Sequence, residues 1–159
     1  LKSNIDLIVL GVSSKGIEWV SEQLNTIAKD KKLPNILMLT KGLSIHENKY
    51  ELLVDKLKRL LTSKGLTNVS ISAVGGPCLA AGLANRIHSS VVIANEEVKT
   101  ATKIANMLNT NYYHTSSSDD LKGVEVSAAI KNIFSMAVGA AKGLCSQNVS
   151  NEVRDFDTD

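Results

Sequence analysis

A lysine stands in the middle of the run from Gly123 to Gly139, Gly-Val-Glu-Val-Ser-Ala-Ala-Ile-Lys-Asn-Ile-Phe-Ser-Met-Ala-Val-Gly, whose other residues are mostly apolar. Burying an ammonium without a partner is costly, so a cation there is paired, shifted in pKa or turned toward a wet cleft. Helical periodicity puts Ser127, Lys131, Ser135 and Lys142 on one stripe, with Val126, Ile130, Ile133, Phe134, Ala137 and Val138 around most of the rest. Two readings follow. Either the helix borders a polar cleft in which Lys131 holds or moves a proton, or Lys131 is a solvated edge residue that snorkels past apolar neighbours.

Two further groupings carry chemistry at strand ends. Thr40-Lys41-Gly42-Leu43 offers a cation beside a glycine that permits close backbone approach; it is either an ordinary turn or a lysine reaching an anion or cofactor. Gly75-Gly76-Pro77-Cys78 is either a tight turn or a set of backbone groups presented to a phosphorylated ligand.

The elements that would position these residues alternate between strand and helix. Ile5 to Val12 is a near-continuous apolar run, read as a strand buried on both faces, and Ile17, Val20, Leu24 and Ile27 mark one face of a helix. A strand follows at Ile36 to Thr40. The pattern then predicts a helix with Tyr50, Leu53, Val54, Leu57, Leu60 and Leu61 on one side, stopped at Gly65. Next come a strand at Val69 to Val74, a short helical segment at Leu79 to Asn85 and a strand at Ser90 to Ala94. A helix from Glu96 to Leu108, with Val98, Ala101, Ala105 and Leu108 inward, leads to a strand at Asn111 to Thr115. Ser116 to Asp120 is a polar link into the Lys131 helix. This alternation argues for α/β architecture, a mainly parallel sheet covered on both sides, with ligands at the C-terminal ends of its strands. The loops after Val12, Thr40 and Val74 are therefore the suspects, and a boundary near Asp119 divides residues 1–118 from 119–159. No internal repeat or low-complexity tract occurs.

Composition narrows the function classes. The 159 residues are 43% hydrophobic and 21% charged, as expected of a soluble globular chain. A formal charge of +2 is too small to argue for nucleic acid, and the clusters at Lys29 to Lys32 and Lys56 to Arg59 read as solvated faces. Cys78 and Cys145 cannot build a disulfide framework, which fits a reducing cytoplasm. His46, His88 and His114 have no second ligand at helical metal-site spacing, so no metal is expected. Lys131 and Lys142 interrupt the most apolar region, so no membrane span is expected either. The chain opens at Leu1 and enters a strand almost at once, which reads as a start inside a fold.

In order and spacing, Lys41-Gly42-Leu43, then Gly76-Pro77-Cys78-Leu79-Ala80, then Gly123-Val124-Glu125 with Ile130-Lys131-Asn132 resemble the NAD(P)-dependent glycerol-3-phosphate dehydrogenases. That family has Lys-Gly-Leu or Lys-Gly-Val after a strand, then Gly-Pro-Ser-Phe-Ala, then Gly-Val-Glu followed by Ala-Leu-Lys-Asn. The resemblance implies part of a Rossmann-like dinucleotide-binding domain, with Asp6 to Val12 as its fourth or fifth strand, followed by the first long helix of an all-α substrate domain. It implies Lys131 as the catalytic proton donor or acceptor. Substrate contacts fall on Lys41, Gly76, Cys78 and Lys131, and cofactor contacts, to NAD or NADP, on Lys41 and Ala80. The implied substrate is a small phosphorylated three-carbon molecule, and the implied state is a homo-oligomer. Cys78 stands where the family has serine, Gly82 where glutamate is common and Lys142 where aspartate is common; from Cys145 onward the chain departs from Gly-Phe-Gly-Asp-Asn. The Gly-x-Gly-x-x-Gly unit that cradles a pyrophosphate and the family's Arg-Asn pair for the substrate phosphate are not in these residues, so the chain alone is expected to be inactive. Two other readings stand beside it. One is a related two-lobe dehydrogenase acting on a ketopantoate-like or hydroxy-acid substrate, and the other is a noncatalytic binding or dimerisation module.

Overall fold

The computed structural model of the chain describes residues 5–28 and 33–148, so the basic cluster at Lys29 to Lys32 lies outside the described residues. The chain divides into two compact units, Leu1–Ala129 and Ile130–Asp159. In the first, strands β1 (Leu7–Leu10), β2 (Asn35–Met38), β5 (Ile71–Gly75), β6 (Ser89–Ala94) and β7 (Tyr113–Ser118) form one sheet in the order β1-β2-β5-β6-β7. Strands β3 (Leu43–His46) and β4 (Lys49–Leu52) form a separate hairpin. The helices are α1 (Ile17–Ile27), α2 (Leu53–Thr62), α3 (Ala80–Ala84), α4 (Val98–Leu108) and α5 (Leu121–Asn148), the last running on into the second unit.

Alternation along β2 explains the layering. Ile36 and Met38 point to one face and join Ile17, Val20 and Leu24 of α1 with Leu53, Leu57 and Leu61 of α2. Leu37 points to the other face and joins Val91, Ile93, Ile104 and Ala105, so α4 covers that side. All three β2 residues are buried, as a central strand of a two-sided sheet requires. The C-terminal stop of α2 follows the expected glycine logic: Gly65 has φ +85, and Leu66 N–H donates to the Leu61 carbonyl at 3.0 Å.

The structure departs from the sequence reading in several places, each with a physical cause. Among the described residues β1 is an edge strand, paired with β2 alone, and Val9 is 49% exposed, so the first strand is not buried on both faces. Tyr50 lies on β4 rather than on a helix. Glu47 and Asn48 both take left-handed backbone (φ 49 and 60), which closes a tight hairpin and leaves α2 to begin at Leu53. The sheet is mainly parallel, as expected, with β6 against β5 its one antiparallel pairing among the described residues. Residues Ser116 to Ser118 extend β7 instead of forming a link, and Val98 is exposed while Ile104 takes the inward position on α4. The basic cluster on α2 is not merely a solvated face: Lys56 pairs with Glu18 at 2.9 Å, Lys58 with Glu96 at 3.0 Å and Arg59 with Glu51 at 2.7 Å. The Arg59 guanidinium holds the Glu51 carboxyl below its ordinary range.

In the second unit, Ile133, Phe134, Met136, Val138 and Leu144 of α5 are exposed. By length and composition alone, Leu121–Cys145 is apolar enough to cross a membrane (mean hydropathy 1.2), contrary to the expectation that Lys131 and Lys142 forbid this. The same composition belongs to a core helix of a helical domain.

Candidate active site

The three suspect loops meet at one edge of the sheet. β1, β2 and β5 are parallel, with Leu10 beside Met38 and Met38 beside Ala73, so their C-terminal ends lie level. The Thr40 hydroxyl donates to the Val12 carbonyl at 2.7 Å, tying the loop after β2 to the loop after β1. The exposed Lys41 ammonium reaches the Gly76 carbonyl at 3.4 Å, tying the same loop to the turn after β5. Lys41 and Gly76, two of the residues singled out for spacing alone, are thus brought together in space.

Gly76 is required by its surroundings. Its φ is +132, and a Cβ there would lie 2.7 Å from the Ser90 carbonyl oxygen and 2.9 Å from the Val91 Cα. The β5 turn therefore passes backbone against backbone over the start of β6, leaving the Gly76 carbonyl free to face Lys41. Pro77 is exposed, and the half-buried Cys78 packs against the Leu37–Val91–Ile93 cluster beside Val74 and Tyr113. Burial, and secondarily the Cys78 thiolate, raise the Tyr113 hydroxyl above its ordinary pKa. Ala80 is exposed at the first position of α3.

Lys131 belongs to the second unit and is exposed, as is Asn132. The buried or cleft-lining lysine expected from the apolar run is not produced by the described residues, because the apolar side chains around it on α5 are themselves open.

A charged residue that the sequence reading treated only as part of a motif proves to be buried: Glu125 is 7% exposed. Its Oε1 accepts a hydrogen bond from the Val54 N–H at 3.2 Å, near the N-terminus of α2, while its Oε2 is buried without a partner among the described residues. Asp55, Glu96, Asp119 and Asp120 line the same small cavity, with Lys122 as its one cation. Burial pushes the Glu125 carboxyl up to about 7; the Val54 N–H opposes that rise and Asp55 adds to it. An acid inside Gly-Val-Glu-Val was the available signal.

A stability prediction follows. The neutral form of Glu125 is favoured in the fold, so its contribution is full below about pH 4.5 and is lost as pH rises to about 7. A shift of this size is worth on the order of 3 kcal/mol. Glu125→Gln keeps an acceptor for Val54 and removes the titration. It should flatten the fall in stability across that window, measured by urea midpoints at successive pH values, and an unchanged slope would show that the carboxyl does not titrate there.

An open α/β sheet that gathers glycine turns and a lysine at the C-terminal edge of its parallel strands defines a domain of the nucleotide-binding class. Comparison with known proteins narrows this. Residues 2–101 match the family model of the NAD-dependent glycerol-3-phosphate dehydrogenase N-terminus, and the chain belongs to that family. It is 35% identical over 138 residues to a glycerol-3-phosphate dehydrogenase [NAD(P)+] of Rickettsia typhi, covering 86% of this chain and 40% of that protein. It is 31% identical over 140 residues to one from Mesoplasma florum, covering 87% of this chain and 40% of that protein. The chain thus spans about two fifths of the length of these relatives. The structure of a glycerol-3-phosphate dehydrogenase from Plasmodium falciparum shares the fold, with a TM-score of 0.72 and 23% identity over 92% of this chain and 38% of that one.

Proposed function

We propose that this chain is part of an oxidoreductase that interconverts glycerol 3-phosphate and dihydroxyacetone phosphate with NAD or NADP. The observation that carries the reading is the meeting of Lys41 with Gly76 at the strand ends, in a chain of this family. The edge suits a dinucleotide in that Lys41 offers an exposed cation for a phosphate beside the turn at Gly76. In this reading Lys41 and Ala80 contact the cofactor, while Lys41, Gly76, Cys78 and Lys131 contact the substrate. The bound cofactor supplies hydride to the C2 carbon of the ketone.

The chain's own contribution is to orient the substrate and handle the proton. Lys41 attracts the anionic end of the substrate beside the Gly76 turn. The Lys131 ammonium donates its proton to the alkoxide oxygen that develops at C2, becomes the neutral amine and recovers a proton from water; in the reverse direction it accepts the hydroxyl proton. Cys78 supplies a weaker hydrogen bond than the serine common in the family. In this reading residues 1–118 are the later part of the dinucleotide domain, and residues 119–159 open a helical substrate domain whose core takes up the apolar surface of α5. A homo-oligomer in the cytoplasm fits the same picture.

The test compares two purified proteins. A complete enzyme containing this chain should oxidise NADH or NADPH on addition of dihydroxyacetone phosphate, whereas the 159 residues alone should not. The absence of turnover by the complete enzyme with both cofactors would sink the substrate assignment. Steady turnover by the short chain alone would show that the other lobes are dispensable.

A further inference from the structure

We infer that His88 and His114 form an open two-imidazole site for a divalent first-row transition-metal ion. The two residues are 26 positions apart, which hides them from any local motif, but the fold sets them side by side. His88 immediately precedes β6 and His114 is the second residue of β7; these strands pair in parallel, with Ser89 beside Tyr113 and Ser90 beside His114. The Ser89 N–H donates to the Tyr112 carbonyl at 2.9 Å, so both backbones are held where the rings leave them.

His88 Nδ1 lies 3.0 Å from His114 Nε2, the ring centroids are 5.2 Å apart, and both side chains are exposed. Two nitrogens ligating one ion at right angles, with bonds of about 2.1 Å, are themselves about 3.0 Å apart. The separation therefore already suits a shared ion. In the metal-free pair one nitrogen must donate a hydrogen to the other. A tautomer change that leaves both as acceptors, with rotation of the rings alone, turns their lone pairs toward one point.

The ligand class follows from the donors. Imidazole favours zinc, nickel and copper over magnesium or calcium. Among the described residues no group of three His, Cys, Asp or Glu side chains converges on one ion, so water fills the other positions and the site is of modest affinity. The pair also borders the turn described above: Ser90, whose carbonyl crowds Gly76, is the register partner of His114.

The probe is Ni2+ alone, titrated calorimetrically and by paramagnetic broadening of histidine ring signals. The expected result is one ion per chain, broadening of His88 and His114 but not of His46, and at least a tenfold loss of affinity in both His88→Asn and His114→Gln. Both positions are exposed, and circular dichroism checks that each variant folds. His46→Gln serves as the control and should bind as the wild type does. Unchanged affinity in either His88→Asn or His114→Gln, equal loss in His46→Gln, or no binding at millimolar Ni2+ would overturn the inference.

Discussion

In a complete enzyme that contains this chain, Lys131→Met should leave the fold intact and lower turnover by ~10²- to 10⁴-fold, the range that loss of general acid-base help produces. The replacement keeps an unbranched stem and good helix propensity and deletes the proton-bearing group. Lys131 is exposed on α5 in this chain, so none of the described residues packs on it. Cofactor affinity should hardly change, since the fall belongs to the chemical step. Lys41→Met should behave differently. Its ammonium sits at the Gly76 carbonyl on the strand edge, so its loss should raise KM for the phosphorylated substrate as well as lower kcat. Steady-state kinetics of the two variants, with circular dichroism as the check on folding, separate the roles. Near-normal turnover in Lys131→Met would make it the solvated helix edge of the alternative reading, and its catalytic role would have to be withdrawn.

What could be read beforehand was whatever local spacing encodes. The apolar faces of α1 and α2 and the β2, β5 and β6 runs are periodic, and Lys41-Gly42 and Gly75-Gly76-Pro77 announce turns at strand ends, so the edge that gathers them was legible. The β3–β4 hairpin was not, because Tyr50 falls at helical spacing from Leu53, Val54 and Leu57. Its cross-strand pairing with Ile45 depends on a two-residue turn at Glu47 and Asn48. The reversal at β6 was not legible either, because the connection over residues 76–88 is long enough for a crossover as well as for a return, and only the pairing of Val74 with Ile93 and Gly75 with Val92 decides between them. Glu125 and the His88–His114 pair were hidden for a different reason: each depends on a partner 26 or more residues away, Val54 for the first and the neighbouring strand for the second.

That reversal makes Gly76 the position where a single methyl group should do most harm to the fold. Gly76→Ala would hold an L residue at φ +132 and drive its Cβ to 2.7 Å from the Ser90 carbonyl oxygen and 2.9 Å from the Val91 Cα. Both obstacles are backbone, so no side-chain rotation relieves them. Moving β6 aside would disturb the β5–β6 ladder at Gly75–Val92 and Val74–Ile93, and Cys78 and Tyr113 pack against the same cluster. Strained backbone of this kind costs about 1 to 3 kcal/mol before any clash is counted, and the two together should exceed about 3 kcal/mol, a large fraction of a domain's stability. Gly11→Ala is the matched control: it lies at the end of β1, carries no positive φ, and its Cβ would meet only the Leu39 Cδ1 at 3.9 Å. Urea denaturation should therefore place Gly76→Ala far below the wild type and Gly11→Ala close to it. Where Gly76→Ala remains folded, substrate saturation should fail as well, because the carbonyl that receives Lys41 moves with the turn. Equal midpoints for the two variants would mean that the turn does not press against β6, and the backbone-to-backbone approach on which the candidate site rests would be wrong.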